Sequence, residues 1–411
     1  MDCLFIHGNY PGQFRHLAPL IANAGHNVKF LTNLENASQY SQERLEIRQF
    51  ELHRKPSTQT HHYLQSTEDA VLQGQAIARE IDALITEGFR PRIVVSHAGN
   101  GLGLFVKDLL PKAIHIGYFE WYFKPETTKH LTAIFDLNTQ LHSSMRNLSI
   151  LQELELCDIA VVPTRWQKQQ FPDAYQEKLQ IIFDGIDRSF FHPLPTQNPE
   201  QWPDIILRNR DTREPFTIPQ NSKVISYATR GMETLRGFPE FMRALPSLLN
   251  EHQDLYAVIA GADRRAYSHD APSHGGSWKD HMLSELNQQL PTERVLFTGL
   301  LDYNDYRSLL WRSNLHCYFT RPYVTSWSLF ESAGCGARLA VNMSPATRGI
   351  TVESSVTWVT LEDQNKLSEQ LANALNKPGE RSMLLPEFDL QISLQKWEKL
   401  LNHALKTADS N

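Results

Sequence analysis

The chain has 411 residues, of which 41% are hydrophobic and 21% are charged, and this composition is typical of a globular protein with more than one domain. The formal net charge is −6 at pH 7 and no run of lysine or arginine occurs, so we expect no nucleic-acid partner. The sequence has no signal-peptide pattern and no apolar run of about 18 residues, which predicts a cytoplasmic protein without a transmembrane helix. Its four widely spaced cysteines form no CxxC pair, so we expect buried reduced thiols and no structural zinc.

In the first 192 residues, short apolar runs alternate with helical patterns, which is typical of βαβ units around a parallel sheet. The predicted strands are residues 3–7, 27–32, 92–96, 113–119, 158–162 and 178–183, and the predicted helices are residues 14–24, 67–87 and most of 131–156. We therefore predict an N-terminal Rossmann-like domain over residues 1–192.

Six prolines crowd residues 193–222 and interrupt this alternation, which indicates an inter-domain linker. The alternation then resumes with predicted strands at residues 223–227, 257–260, 295–298 and 315–319, and predicted helices at residues 237–250, 279–289, 303–312 and 329–335. We predict a second domain over residues 223–385 and a C-terminal helix within residues 386–411 that packs back toward the first domain. The expected fold class is α/β, with two parallel-sheet domains that face each other across a cleft.

The most informative stretch is the run from Arg321 to Gly336, which follows the predicted strand 315–319. Its polar and small residues lead into a helix that carries Glu331, so free backbone N–H groups and a helix N-terminus should lie at the carboxyl edge of the sheet. Phosphates and nucleotides bind at such edges, and an acid about one turn into the helix can reach a ribose. The run therefore predicts a nucleotide site.

Arg230 and Arg236 follow the predicted strand 223–227, and Arg236 directly precedes a glycine and a helix. Two guanidinium groups at one cleft would neutralise a diphosphate and donate bidentate hydrogen bonds. Taken by themselves, the two arginines are better explained as solvated surface residues. Together with the seryl loop 326–328 and Glu331, they favour a phosphate site.

His97 and Glu120 each follow a predicted strand of the first domain and so belong to its ligand-facing edge. For each, a functional role and a structural role are equally open, since His97 can bond a loop or cap a helix and Glu120 can pair with a cation. The small residues of loop 8–12 allow a ligand to approach closely, although a plain turn explains them equally well. Loop 99–103 comes near to G-x-G-x-x-G, but its glycine spacing is wrong.

These residues, in order and over nearly the whole chain, make the sequence similar to family 4 retaining glycosyltransferases of the GT-B architecture. The matching segments are residues 5–18 with Gly25 and His26, residues 181–193, Arg230 and Arg236, residues 258–261, residues 295–299, and Glu331, which matches the second glutamate of the family's E-x7-E motif. The chain departs from the family where Tyr323 replaces the first glutamate of that motif and Ser326 replaces a glycine. The Pro-Tyr-Val-Thr-Ser-Trp-Ser run at residues 322–328 resembles that of a subgroup.

The resemblance implies transfer, with retention, of a sugar from a nucleoside diphosphate sugar to a hydroxyl of a polysaccharide, glycolipid or metabolite, with no metal and no other cofactor. It implies catalytic roles for Arg230, Arg236, Glu331, Glu120 and His97, donor binding by Gly12, Gly261, Gly299, Tyr303, Tyr323, Ser326, Trp327, Ser328 and Leu329, and acceptor binding by Asn9, Tyr10, Trp121, Thr164 and Arg165. A lipid acceptor would imply peripheral contact with the inner face of a membrane, for which residues 121–123 and Trp166 are candidates unless they belong to the core.

Two other functions stay open. Tyr323, where the family has an acid near the donor sugar, is compatible with a non-catalytic module that binds a nucleotide sugar. An enzyme of another class on the same architecture, either a nucleotide-sugar epimerase or a glycogen-phosphorylase-like enzyme, is the other alternative. The run Pro-Gly-Gln-Phe-Arg at residues 11–15 and the lack of a pyridoxal lysine motif favour a transferase instead.

Overall fold

The computed structural model describes residues 1–194, 204–272, 275–377 and 380–410. The chain divides into two compact units: unit 1 contains residues 1–128, 135–185 and 391–411, and unit 2 contains residues 129–134 and 186–390. Each unit is built on one parallel sheet whose strands are joined through helices. The predicted α/β fold class with two Rossmann-like sheets is therefore confirmed.

Unit 1 contains a seven-stranded parallel sheet in the order β3-β2-β1-β4-β5-β6-β7. Its strands are β1 (Asp2–Ile6), β2 (Asn27–Thr32), β3 (Leu45–Gln49), β4 (Ile93–His97), β5 (Ile114–Tyr118), β6 (Ile159–Val162) and β7 (Leu179–Ile181). Its helices are α1 (Leu17–Asn23), α2 (Gln65–Thr86), α3 (Val106–Leu109), α4 (Pro125–Thr128), α5 (Leu137–Met145), α6 (Asn147–Leu156), α7 (Arg165–Lys168) and the C-terminal α13 (Leu390–Ser410).

The central strands of this sheet are covered on both faces, which explains their near-continuous apolar sequence. Strands β4 and β5 are buried at every position. On one face, Phe5 of β1 packs against Phe14, and Trp397 of helix α13 joins the same core cluster. The C-terminal helix therefore contributes to the core of unit 1.

Unit 2 contains a six-stranded parallel sheet in the order β12-β11-β10-β13-β14-β15 and a separate antiparallel pair, β8-β9. Its strands are β8 (Ile205–Arg208), β9 (Pro215–Ile218), β10 (Lys223–Gly231), β11 (Leu255–Ala262), β12 (Val295–Gly299), β13 (Leu315–Tyr318), β14 (Leu339–Asn342) and β15 (Thr357–Val359). Its helices are α8 (Phe238–Glu251), α9 (Trp278–Glu285), α10 (Tyr303–Arg312), α11 (Trp327–Gly334) and α12 (Gln364–Asn376).

Helix α8 illustrates how this sheet is covered and how its ligand edge is shaped. Phe238, Phe241 and Leu245 recur at helical spacing and are all buried in the main core cluster of unit 2. Gly237, which precedes the helix, has a φ of 65°, and a Cβ at this position would lie 2.8 Å from the Cβ of Phe319. This close approach holds the start of α8 against the edge at which β13 ends.

The structure differs from the predicted elements in two polar segments. Residues 205–218, inside the predicted linker 193–222, form the hairpin β8-β9, while residues 195–203 of that segment lie outside the described residues. The edge strand β3 was not expected, because its buried leucine and isoleucine alternate with Glu46 and Arg48, which form ion pairs.

Two predicted helices begin later than expected. A 3-10 turn at Gly12–Phe14 replaces the first part of the helix predicted at 14–24, and α1 begins only at Leu17. The helix predicted at 131–156 begins at α5, where the Asp136 carboxylate accepts a hydrogen bond from the Thr139 N–H at 2.8 Å. This side-chain cap sets the start of the helix.

Candidate functional site

In unit 2, the predicted catalytic arginines and much of the predicted donor loop gather at the carboxyl ends of β10 and β13. These two strands are neighbours in the sheet. Strand β11 pairs with the other side of β10, and strand β14 pairs with the other side of β13, so the strand order changes direction between β10 and β13. Ligands of parallel sheets bind in the crevice at such a switch point. Arg230 lies at the end of β10, Arg236 in the 3-10 turn that follows, and residues 323–328 after β13.

Arg236 is the most informative of these side chains because only 4% of its surface is exposed. Its Nη1 donates a hydrogen bond to Thr320 Oγ1 at 2.6 Å, whereas its Nη2 is buried and has no hydrogen-bond partner among the described residues. A buried cationic donor without an acceptor is energetically costly, and an anionic ligand would supply the acceptor. The geometry therefore suits a phosphate group at this position.

Arg230 and Arg236 share a partner that sequence reasoning missed, Tyr267. Arg230 Nη1 lies 3.5 Å from Tyr267 Oη, and the Arg236 guanidinium lies 5.2 Å from the centroid of the Tyr267 ring. Tyr267 also lines an open cavity of about 580 Å³, whose wall includes Arg264 and Trp278. Two adjacent guanidinium groups suit a ligand with two neighbouring phosphates.

A buried glutamate, also missed by sequence reasoning, fixes the loop that carries Tyr267. Glu233 is fully buried, and its Oε2 accepts hydrogen bonds from the backbone N–H groups of residues 266, 267 and 268 at 3.0, 3.0 and 2.9 Å. The Ser268 hydroxyl donates a fourth, at 2.9 Å. In the sequence, only the position of Glu233 between Arg230 and Arg236 could have indicated a role for it. Its hydrogen-bond partners lie 33–35 residues further along the chain, so a local pattern does not reveal them.

The start of α11 carries the serines predicted to bind phosphate. The Ser326 backbone N–H donates a hydrogen bond to Tyr318 Oη at 3.1 Å, and the Ser326 and Ser328 hydroxyls are 2.6 Å apart. Glu331 is buried in the second turn of this helix. Burial first, and then the charge of Glu331, raises the pKa of Tyr306 well above its ordinary value. The predicted contact of Glu331 with a ribose stays a prediction.

Gly261 and Gly299, both predicted to bind the donor, are packed against protein atoms. A Cβ on Gly261 would lie 2.4 Å from the Thr229 carbonyl oxygen, on the neighbouring strand. A Cβ on Gly299 would lie 2.1 Å from the Asn209 side-chain nitrogen, in the turn of the β8-β9 hairpin. Strand and hairpin packing thus accounts for both glycines without a ligand.

The other predicted donor residues of unit 2 are distributed between the edge and the core. Tyr323 lies at the edge, with its ring centroid 6.1 Å from that of Tyr267. Trp327 is the first residue of α11 and is partly exposed, whereas the Leu329 side chain is buried in the core. Tyr303 is half exposed at the start of α10.

In unit 1, His7, His97 and Glu120 lie at the ends of β1, β4 and β5, three neighbouring strands. Gln13 joins them, since its Oε1 lies 2.5 Å from His7 Nε2 and its Nε2 donates to Glu120 Oε1 at 2.6 Å. His97 Nε2 lies 3.3 Å from Glu120 Oε2, and the rings of His7 and His97 are 4.4 Å apart. The structure therefore brings the two predicted residues of this unit together and adds Gln13, which sequence reasoning missed.

The surroundings determine the charge of this cluster. Burial, and then the neighbouring His97, lowers the pKa of His7 to about 3, so His7 is neutral at pH 7. The Asn9 N–H donates to His7 Nδ1 at 2.8 Å, which leaves the Nε2–H as the donor to Gln13. Burial by itself would raise the pKa of Glu120, but its interactions with His97 and Gln13 hold that pKa below the ordinary value. The ionised carboxylate can accept a hydrogen bond from a hydroxyl group.

A second buried glutamate fixes the loop that follows β4. Glu153 of α6 accepts hydrogen bonds from the N–H groups of Gly99, Gly101 and Gly103 at 3.1, 2.9 and 3.2 Å. Burial raises the pKa of Glu153 to about 7, and the three hydrogen bonds oppose that rise. The glycine amides of this loop are thus already occupied by the protein.

The first loop of unit 1 is packed against its neighbours. A Cβ on Gly12, which was predicted to bind the donor, would lie 2.6 Å from the His7 ring. Tyr10, predicted to bind the acceptor, stacks on Tyr40 with ring centroids 5.7 Å apart. Asn9 is exposed, and its backbone rather than its side chain contacts the histidine cluster.

The last three predicted acceptor residues occupy different environments. Thr164 caps helix α7, where its Oγ1 accepts from the Gln167 N–H at 3.2 Å, and Arg165 is exposed. Trp121 is buried, with its ring 6.1 Å from that of Trp166, so it belongs to the core rather than to an exposed membrane-contact patch. Within the ranges that the structure describes, no helix has the length and apolar character needed to cross a membrane.

Part of the sequence matches a known family. Residues 24–191, which include most of unit 1 and less than half of the chain, match the glycosyl transferase family 4 group. No curated protein matches the chain significantly.

Solved structures match the fold over the whole chain. Sucrose-phosphate synthase from Thermosynechococcus elongatus aligns with a TM-score of 0.65 and 12% identity over 99% of this chain and 100% of the other. Trehalose 6-phosphate synthase from Burkholderia multivorans aligns with a TM-score of 0.63 and 10% identity over 99% of each chain. An E. coli structure described as trehalose-6-phosphate bound with UDP-2-fluoro glucose aligns with a TM-score of 0.58 and 13% identity over 100% of this chain and 98% of the other. The chain thus has the GT-B fold.

Proposed function

We propose that the protein is a retaining glycosyltransferase that transfers a sugar from a nucleoside diphosphate sugar to a hydroxyl group of an acceptor, with the donor held by unit 2 and the acceptor by unit 1. The observation that carries the proposal is the buried Arg236, whose Nη2 lacks an acceptor in the described structure, beside Arg230 at the switch point of a parallel sheet. The family 4 match and the GT-B fold support the same class of enzyme.

The two arginines would stabilise the negative charge that develops on the diphosphate as the bond between the sugar and the phosphate oxygen breaks. Such preorganised electrostatic stabilisation is usually the largest single contribution to catalysis. Because two guanidinium groups would supply the positive charge that a divalent ion supplies in other enzymes, we propose a metal-independent reaction. Glu331 would orient the ribose of the donor.

Glu120 would orient the acceptor. Its carboxylate is held by Gln13 and His97 and is partly exposed, so it can accept a hydrogen bond from an incoming hydroxyl. In a retaining reaction on one face of the sugar, the departing phosphate can take the proton of that hydroxyl. We therefore propose positioning roles for Glu120 and His97 rather than general-base catalysis.

A panel of nucleotide sugars tests the proposal. UDP sugars are the first donors to try, because a structure of similar fold is described as bound with UDP-2-fluoro glucose. The expected result is slow release of nucleoside diphosphate from one donor and faster release when a suitable acceptor is present. Tight binding of one donor without release would instead support a binding module, which Tyr323 beside Tyr267 favours because neither residue is an acid. Conversion of a donor to its epimer without release would indicate an epimerase.

A further inference from the structure

We propose that Tyr267 is a positioning residue of the donor site: fixed by Glu233, it aligns the guanidinium groups of Arg230 and Arg236 for two phosphate groups of one ligand. The inference rests on the proposed function, in which a diphosphate is the leaving group. Tyr267 lies on loop 263–270, which follows β11 and belongs to none of the segments on which the family resemblance depends.

The loop is fixed at its centre and at its end. At the centre, the backbone N–H groups of residues 266–268 and the Ser268 hydroxyl all donate to one oxygen of the buried Glu233. At the end, the Thr234 hydroxyl donates to the Asp270 carboxylate. Arg265 Nη1 donates to the His269 and Asp270 carbonyl oxygens at 3.3 and 3.0 Å, which closes the loop on itself. The backbone of residue 267 therefore has a fixed place.

Tyr267 contacts the two arginines in different ways. Its hydroxyl lies 3.5 Å from Arg230 Nη1, and its ring lies 5.2 Å from the Arg236 guanidinium carbon. Arg230 is exposed, so without this contact its long side chain would lose more rotamer entropy when a ligand orders it. Arg236 is buried, and a cation over an aromatic ring is stabilised most when it is desolvated. Tyr267 thus holds both guanidinium groups in position before the ligand binds.

Inorganic pyrophosphate is the probe that isolates this role, because it offers two phosphates and no sugar or base. Calorimetric titration into the full chain would compare the wild type with three variants. Tyr267→Phe removes only the hydroxyl, and we expect pyrophosphate affinity to fall about threefold. Tyr267→Ala removes the ring as well, and we expect a fall of about tenfold or more. Glu233→Gln frees the loop, and we expect a fall between these two values.

Two matched controls separate positioning from general damage to the fold. Tyr256→Ala changes a tyrosine at the other end of β11, and Glu153→Gln changes a buried glutamate in unit 1 that likewise accepts three backbone N–H groups. Both should bind pyrophosphate as the wild type does. With a turned-over donor, Tyr267→Ala should raise the donor KM by the same factor by which pyrophosphate affinity falls and leave the acceptor KM unchanged.

Unchanged pyrophosphate affinity in Tyr267→Ala, or an equal loss in Tyr256→Ala, would overturn the inference. If Tyr267→Ala does not fold, Tyr267→Phe decides, and wild-type affinity in that variant overturns it. Pyrophosphate binding that depends on Tyr267 in a protein that turns over no nucleotide sugar would support this inference and refute the proposed function. A wild-type protein that does not bind pyrophosphate would refute both.

Discussion

In each unit, a buried glutamate holds a loop at the carboxyl edge of the sheet. In unit 1, the buried Glu153 accepts three backbone N–H bonds from loop 99–103, and in unit 2 the buried Glu233 accepts three from residues 266–268. A glutamate of this kind satisfies amides that a strand-to-helix loop would otherwise leave without partners. The scaffold of each edge is thus fixed independently of any ligand.

The side chains at the strand ends differ in charge. Unit 1 presents the neutral His7 beside the ionised Glu120, whereas unit 2 presents Arg230 and Arg236. In unit 1, the Glu120 carboxylate can accept a hydrogen bond from a hydroxyl, whereas the two arginines of unit 2 can hold an anion. The comparison teaches that similar sheets set the position of a site while a few strand-end residues select the chemistry of its ligand.

Arg236→Met should give the largest effect, because it removes a buried cation from unit 2. We expect kcat/KM for the donor to fall about 10³-fold, as for the loss of one preorganised donor group. Steady-state kinetics on the preferred nucleotide sugar measures this change. Arg243→Met is the matched control, since Arg243 pairs with Glu285 on α9 and should be dispensable for activity. Comparable losses in the two variants would contradict the assignment.

Glu120→Gln should impair the carboxyl edge of the unit 1 sheet and leave that of the unit 2 sheet unaffected. We expect kcat to fall about 100-fold through misplacement of the acceptor, while the donor KM and the affinity for nucleoside diphosphate stay unchanged, because the proposed donor site lies in unit 2. Glu126→Gln, at an exposed position of α4, is the control and should retain activity. Weakened nucleoside diphosphate binding in Glu120→Gln is the result that the comparison of the two edges does not allow.

Gly101→Ala should destabilise unit 1 through its edge loop. Gly101 has a φ of 82°, and a Cβ there would lie 2.0 Å from the Ala70 carbonyl oxygen. Gly88 has a φ of 91° in open space, so Gly88→Ala introduces backbone strain without the clash. We expect Gly101→Ala to lose about 2 kcal/mol more unfolding free energy than Gly88→Ala, as measured in urea. Equal losses would show that the loop can move aside.

Glu153→Gln should have the smallest effect on activity, because what it changes is how the stability of unit 1 depends on pH. The pKa of Glu153 is raised from 4.5 to about 7, so the folded state binds its proton more tightly than the unfolded chain does. The resulting stabilisation is present at low pH and is lost as the pH rises from about 4.5 to about 7. Glutamine cannot ionise, so the difference in unfolding free energy between the two proteins should change by about 3 kcal/mol across this window, at about 1.4 kcal/mol for each unit of pKa.

Two buried histidines, His7 and His115, also make the stability depend on pH, but they do not affect the comparison of the wild type with Glu153→Gln. Burial lowers the pKa of His7 to about 3 and that of His115 to about 4, so both destabilise the fold as the pH falls below 6.5. These contributions are common to the wild type and Glu153→Gln and cancel in the difference. A difference that does not vary with pH would mean that Glu153 is ionised in the fold throughout.

The features that could be predicted from the sequence depend on residues close together in the chain. Alternating apolar runs and helical patterns predict the two parallel sheets. Because the strands of each sheet are parallel, their carboxyl ends all lie at the same edge of that sheet. Arg230 and Arg236 could be located because both lie within nine residues of the end of a predicted strand. The same holds for His97 and Glu120, which the structure brings within 3.3 Å of each other.

The features that were missed depend on contacts between distant segments. Gln13 and Glu120 are 107 residues apart in the sequence, and Glu153 and Gly101 are 52 apart. Glutamine and glutamate are ordinarily surface residues, so one sequence does not distinguish a buried member of a network from a solvated one. Tyr267 was missed for the same reason, because it lies in a polar loop and its role depends on partners elsewhere.

The central claim is that unit 2 binds the diphosphate of a nucleotide through Arg236. Calorimetric titration of the preferred nucleoside, as its diphosphate and as its monophosphate, into the wild type and Arg236→Met tests this claim most directly. We predict that the wild type binds the diphosphate at least about tenfold more tightly than the monophosphate, and that the variant loses this preference. Equal affinity of the wild type for the two nucleotides, or an unchanged preference in Arg236→Met, would contradict the claim.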